Sequence, residues 1–112
     1  MILSVIGLFP STRQRGELVE ILRSVADLTR PGAGCQGCWI AEEDPLNNCL
    51  QYAELWDGEE SLYEHIRSEL YLRLLSAMEL SQRAPEIKFY YTAETKGFEL
   101  IETLRSNGRL PN

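Results

Sequence analysis

Basic residues are scarce in this 112-residue chain: eleven Lys and Arg stand against seventeen Asp and Glu, for a formal net charge of −6. Such a surface is a poor counterion for nucleic acid or an anionic bilayer, whose binding is led by Lys and Arg, so neither is expected as a partner. Histidine is scarcer still, with the single copy His65. Cysteine occurs three times, an odd number that leaves no complete pairing and favours a reducing compartment over secretion. No apolar run approaches the roughly 20 residues that span a bilayer. The apolar stretch 1–9 lacks a basic flank and a small-residue cleavage site, and Pro10, Arg13 and Arg15 break it. The expectation is a cytoplasmic protein.

Repeats, low-complexity tracts and linkers are also missing. The densest loop signal, Arg30-Pro31-Gly32-Ala33-Gly34, is too short to separate domains. What remains is 44% hydrophobic and 25% charged, the balance of one globular domain large enough to bury a core without staples.

Residues 2–9 are β-branched, apolar and ended by proline, so they form a first strand. Ile2, Ile6 and Leu8 lie on one face and Leu3, Val5 and Phe9 on the other. A strand apolar on both faces needs cover on both sides. Ser11 or Thr12 then caps a helix, with Gln14 as capping-box partner of Ser11. Its inward stripe is Leu18, Ile21, Leu22, Val25 and Leu28, and Pro31-Gly32 stops it. Residues 35–42 and 48–57 form a hairpin around the turn Asp44-Pro45-Leu46-Asn47. A short helix carries Leu62, His65 and Ile66 on one side. Ser68 starts another, with Leu70, Leu74, Ala77 and Met78 inward. Residues 87–94 form a fourth strand, and Phe98, Ile101 and Leu104 mark a last amphipathic helix.

The order β-α-β-β-α-β with an extra C-terminal helix defines an α+β, ferredoxin-like fold, an antiparallel four-stranded sheet with helices on one face. Residues 1–96 form the domain, and residues 97–112 a C-terminal helical extension with a loose tail. The helices cover one sheet face, so the simplest cover for the other is a second copy in a two-fold homodimer.

Three segments carry a resemblance to a known family. Residues 31–38, Pro-Gly-Ala-Gly-Cys-Gln-Gly-Cys, are similar to the "PGC-x-GY" segment that opens the second strand of antibiotic biosynthesis monooxygenase (ABM) domains. Tyr52-Ala53-Glu54-Leu55-Trp56 resembles that family's "YExW" third strand, and Trp56 through His65 its link into the next helix. The resemblance spans residues 1 to about 94. It implies a dimeric α+β barrel with a pocket between sheet and helices in each subunit. It also implies oxygenation of phenolic or quinol-like aromatics without a cofactor, the substrate supplying the electrons. The polyketide-modifying members carry a side-chain amide where this chain has Tyr52, and a tyrosine where it has Leu62. Of that constellation Trp56 alone carries over. The haem-degrading branch places a histidine where this chain has Leu75, so haem is not expected.

The candidate catalytic residue is His65, a general base or substrate hydrogen-bonder, because imidazole is the side chain that titrates near neutral pH unperturbed. Tyr52, Glu54 and Trp56 alternate onto one strand face, an aromatic wall with a carboxylate placed to orient His65. A Glu on so apolar a face needs a partner, and Arg73, Arg23 or Lys88 are candidates. Tyr52, Glu54, Trp56, Tyr71 and Trp39 are the expected substrate-binding set, with Phe89, Tyr90 and Tyr91 as further ring surfaces. Cys35-Gln36-Gly37-Cys38 enters a strand, where residues three apart face opposite ways. Its sulfurs therefore read as buried small hydrophobes, and no metal or other cofactor is expected. The acids at 42–44 read as a solvated hairpin end. The main alternative to an enzyme is a non-catalytic small-molecule-binding or stress-response module on the same scaffold. An isomerase or decarboxylase would also lean on His65.

Overall fold

The computed structural model describes residues 1–42 and 48–107, omitting the side chain of Asn107. The expected turn at 44–47, the acids Glu43 and Asp44, and the tail from 108 lie outside the described residues. The elements are β1 (Ile2–Leu8), α1 (Arg15–Thr29), β2 (Cys35–Glu42), β3 (Leu50–Trp56), α2 (Glu59–Arg67), α3 (Glu69–Met78), β4 (Glu86–Tyr91) and α4 (Phe98–Asn107). The strands form one antiparallel sheet in the order β2-β3-β1-β4, the ferredoxin-like arrangement, and the sheet is open. No helix among the described residues is long and apolar enough to cross a membrane.

The period-two pattern of β1 sorts the sheet into faces. Ile2, Ser4, Ile6 and Leu8 are buried toward the helices, and strand pairing puts Trp56, Glu54, Tyr52 and Leu50 of β3 beside them. Against this face pack Leu18, Leu22 and Val25 of α1 and Tyr71, Leu74 and Ala77 of α3. A smaller cluster joins Ile2 and Trp56 to Leu62 of α2. Leu3, Val5, Ala53 and Leu55 lie on the other face, each partly exposed, with Trp39 and Tyr90 about half exposed. The chain itself leaves this face open, as the two-sided apolar pattern of the first strand implies.

Several local expectations change. Ser11 caps the turn before α1 rather than the helix: its Oγ accepts the Gln14 N–H at 3.1 Å, while Gln14 itself takes the N-cap position. Leu28 is not an inward residue; it is 55% exposed at the C-terminal end of α1. On α4, Phe98, Ile101 and Leu104 all remain exposed on this chain.

The largest correction concerns Cys35 and Cys38. A β-bulge between Cys35 and Gly37 pairs Cys35 with Trp56 and Cys38 with Glu54. A bulge adds one residue to one strand, so the parity shifts and both cysteines fall on the helix-covered face. Gly37 supplies the room on the other face, where a Cβ would collide with the indole of Trp39. Gly34 closes the preceding turn at φ +83°, a left-handed conformation that favours glycine, and its carbonyl accepts the Asp57 N–H at 2.9 Å. This ties the 31–34 turn to the start of α2 and fixes one wall of the space described next.

Candidate active site

Glu54 sits in the middle of β3 with no solvent exposure. A carboxylate in that position is costly unless every oxygen is hydrogen-bonded. Three donors meet it. Tyr52 donates its hydroxyl to Oε2 at 2.6 Å and Trp56 its indole N–H to Oε1 at 3.0 Å. Both are two residues away on the same strand, so the alternation that places all three on one face also supplies these bonds. The third partner is His65, whose Nε2 lies 2.9 Å from Oε2. Arg73, Arg23 and Lys88 do not take that role. The Arg73 guanidinium bonds Ser24 on α1, and Lys88 stands on the open sheet face beside Val5.

His65 reaches the sheet because α2 turns Leu62 and His65 to the same side, and both are buried. Its ring tilts against Trp56, with centroids 4.8 Å apart, and meets Tyr71 edge-on at 5.3 Å. The nearest residues to Glu54 in the neighbouring strands are Ser4 and Cys38, both small, which leaves space for the imidazole. Burial raises the Tyr52 hydroxyl far above its ordinary range and the Tyr71 hydroxyl to about 12, with the Glu54 charge adding to both. Burial likewise lifts the Cys38 thiol to about 11. All three therefore stay protonated near neutral pH, and Tyr52 stays a donor to Glu54.

The second ring nitrogen of His65 is differently placed. Nδ1 makes no hydrogen bond among the described residues, and no buried side-chain nitrogen or oxygen there lacks a partner. Nδ1 is therefore not fully buried, and the His65 ring lines, with Trp56, the adjoining cleft of about 270 Å³. The cleft's other walls are Leu28 and Thr29 from the end of α1, Gly32 and Ala33 from the turn, Ser61 and Glu64 from α2, and Ser68 and Leu70 at the start of α3. A buried Glu–His pair with one nitrogen facing a small, partly apolar cleft can hold a hydroxylated ring and take its proton. Among the described residues no three His, Cys, Asp or Glu side chains converge as a metal site.

The structure gathers four of the singled-out aromatic and acidic residues, Tyr52, Glu54, Trp56 and Tyr71, around His65. It does not bring Trp39 there: Trp39 pairs with Ala53 on the open face. Phe89 and Tyr91 lie on the helix side of β4 but exposed, and Tyr90 on the opposite side, so the aromatics of β4 form no single wall. Tyr91 instead meets the Tyr63 hydroxyl at 3.0 Å. Leu28, Thr29, Gly32, Ser61 and Ser68 were not foreseen as cleft residues. The Pro-Gly turn after α1 was the one available signal, since a glycine at a helix end allows close approach. A larger depression of about 350 Å³ lies on the open face beside Phe9, Arg83 and Lys88, but it holds no residue of the Glu54 group.

No family model matches the sequence, and no curated protein matches it. Solved structures do resemble the fold. A Deinococcus radiodurans protein described as a candidate antibiotic biosynthesis monooxygenase is 20% identical, with a TM-score of 0.76 over 88% of this chain and 98% of its own. A Mycobacterium tuberculosis protein is 21% identical, with a TM-score of 0.76 over 86% of this chain and 98% of its own. A Nitrosomonas europaea protein, also described as a candidate antibiotic biosynthesis monooxygenase, is 12% identical, with a TM-score of 0.74 over 84% of this chain and all of its own. The chain has the fold of the antibiotic biosynthesis monooxygenases.

The network makes a stability prediction. Of the three donors, truncating Glu54 strands those of Tyr52 and Trp56, which have no alternative, while the His65 ring proton can move to Nδ1; each stranded donor costs about 1–3 kcal/mol. Glu54→Ala should therefore lower unfolding stability by roughly 2–6 kcal/mol, read from urea melts. Glu54→Gln keeps an acceptor and should lose clearly less.

Proposed function

We propose that the protein is a cofactor-independent monooxygenase acting on a small phenolic or quinol-like aromatic bound in the cleft beside His65. The observation that carries this reading is the His65 ring, held by Glu54 through Nε2 and lining the cleft, with Nδ1 left without a partner among the described residues. The shared fold with proteins described as monooxygenases supports it.

The chemistry follows from the ring's two ends. Accepting the Nε2–H, Glu54 selects the tautomer in which Nδ1 is a bare acceptor. The phenolic hydroxyl lies against Nδ1, and the ring rests between Trp56, Leu28 and Leu70. His65 takes the phenolic proton, and the resulting imidazolium is balanced by the Glu54 carboxylate. The ring anion is electron-rich enough to react with dioxygen. One oxygen atom enters a ring carbon in place of hydrogen and the other leaves as water, so phenol plus O2 gives quinone plus water, with all four electrons drawn from the substrate. The protein's tasks are binding, orientation and proton transfer. Tyr71 supports the site by fixing the His65 ring from its edge.

The active form is a homodimer in which the open sheet faces of two copies cover each other. The partly exposed Leu3, Val5, Ala53 and Leu55 and the half-exposed Trp39 and Tyr90 support it. Light scattering at micromolar concentration should give twice the chain mass; a monomer would remove this part of the proposal.

Oxygen uptake with a panel of quinols tests the reaction. His65→Ala should lower the rate by roughly 10²–10⁴-fold, the scale of a lost general base. Glu54→Gln should also slow it, because an amide N–H facing Nε2 drives the ring proton onto Nδ1 and blocks the base. Absence of oxygen uptake with every quinol, or an unchanged rate per folded molecule in His65→Ala, would instead favour a binding module.

A further inference from the structure

The cleft beside His65 is electrostatically one-sided. Among the described residues its lining contains one carboxylate, Glu64, and no Lys or Arg. Glu64 is exposed and forms no hydrogen bond or ion pair among them, although Arg67 follows one turn later on the same helix. The C-terminus of the 15-residue α1 contributes Leu28 and Thr29, and its last turn carries no basic residue. The carbonyl end of that helix therefore borders the cleft, with the Thr29 carbonyl accepting the Gly32 N–H at 2.9 Å. Arg30, just beyond, is engaged elsewhere: its guanidinium bonds Asp27 at 2.6 Å and the Cys38 carbonyl at 3.0 and 3.2 Å. The positive end of α3 also reaches the cleft, but Ser68 Oγ accepts the Tyr71 N–H at 3.3 Å and Glu69 lies in its first turn. At the floor is His65, more than nine-tenths buried, with Nδ1 unpaired.

We infer that this cleft takes a phenol bearing a protonated amine and discriminates against phenols bearing a carboxylate. The inference rests on the cleft being the substrate site proposed above. The ammonium group is set against Glu64 and the α1 carbonyl end, the ring against Leu28, Leu70 and Trp56, and the hydroxyl against His65 Nδ1. A ligand cation has a second effect. When His65 removes the phenolic proton, negative charge appears on the ring; the imidazolium formed beside it is already balanced by Glu54, and the ammonium group offsets the ring charge in a cleft lined by no Lys or Arg. A carboxylated phenol meets repulsion on binding and again on deprotonation. The chain's overall charge of −6 acts in the same direction during encounter.

Three phenols that differ in charge test this by binding alone: tyramine, 4-methylphenol and 4-hydroxyphenylacetate, titrated into the wild type and Glu64→Gln by calorimetry. Tyramine should bind roughly two- to fivefold more tightly than 4-methylphenol, the scale of an exposed ion pair, and 4-hydroxyphenylacetate more weakly than both. Glu64→Gln and high salt should each remove most of tyramine's advantage. Equal or tighter binding of the carboxylate overturns the inference, as does an unchanged ranking in Glu64→Gln, or no binding of any probe at millimolar concentration. The readout needs no turnover. A charge-ranked series without oxygen uptake supports this inference and removes the monooxygenase reading; oxygen uptake indifferent to substrate charge does the reverse.

Discussion

A carboxylate with no contact to water must have its oxygens bonded, and the centre of this molecule is arranged around that requirement at Glu54. Two of its partners, Tyr52 and Trp56, come from the same strand face. The third, His65, comes from a helix, so satisfying Glu54 also fixes where α2 lies over the sheet. Ser4 and Cys38 flank Glu54 in the neighbouring strands, and their small size lets the imidazole descend to it. A larger residue at either place would hold His65 away and leave the carboxylate short of a donor. One buried charge thus links strand alternation, strand register, helix placement and the orientation of the one histidine.

The same requirement produces a directional ring. An imidazole bonded at one nitrogen by a fixed acceptor is held in one tautomer, and its other nitrogen is presented as an acceptor. Here that nitrogen meets a cleft formed by the end of α1, the turn after it and the two consecutive helices α2 and α3. The fold hosts unrelated chemistries, so architecture alone does not choose among them. The proposal of proton abstraction from a phenol rests on this pair, the cleft and the indole beside it.

Much of this was legible in the sequence, for identifiable reasons. Strand alternation places Tyr52, Glu54 and Trp56 together, helix periodicity places His65 with Leu62, and the two patterns meet because α2 follows β3 directly. The partner of Glu54 was legible only in part. The contact of Glu54 with His65 follows from the pattern, but no Lys or Arg partner exists among the described residues: three polar rings, Tyr52, Trp56 and His65, provide the bonds. The two cysteines were misassigned because parity counting assumes an unbroken strand, and the bulge at Cys35–Gly37 breaks it; Gly37 was the only local sign. Trp39 lies on the far face because it is one residue from Cys38, and composition carries no register. The cleft walls at Leu28, Thr29, Ser61 and Ser68 depend on how the end of α1 is placed beside α2 and α3, a tertiary arrangement that periodicity does not encode.

The ring nitrogens of His65 report the central claim most directly. With one histidine in the chain, 15N-labelled protein gives a single imidazole pair by NMR, without assignment ambiguity. For the neutral ring the account predicts the Nε2–H tautomer, with the Nε2 proton protected from exchange by Glu54 and Nδ1 carrying no proton. In Glu54→Gln the proton should move to Nδ1. An Nδ1–H tautomer in the wild type, or a ring proton that exchanges as fast as that of a free imidazole, would contradict it.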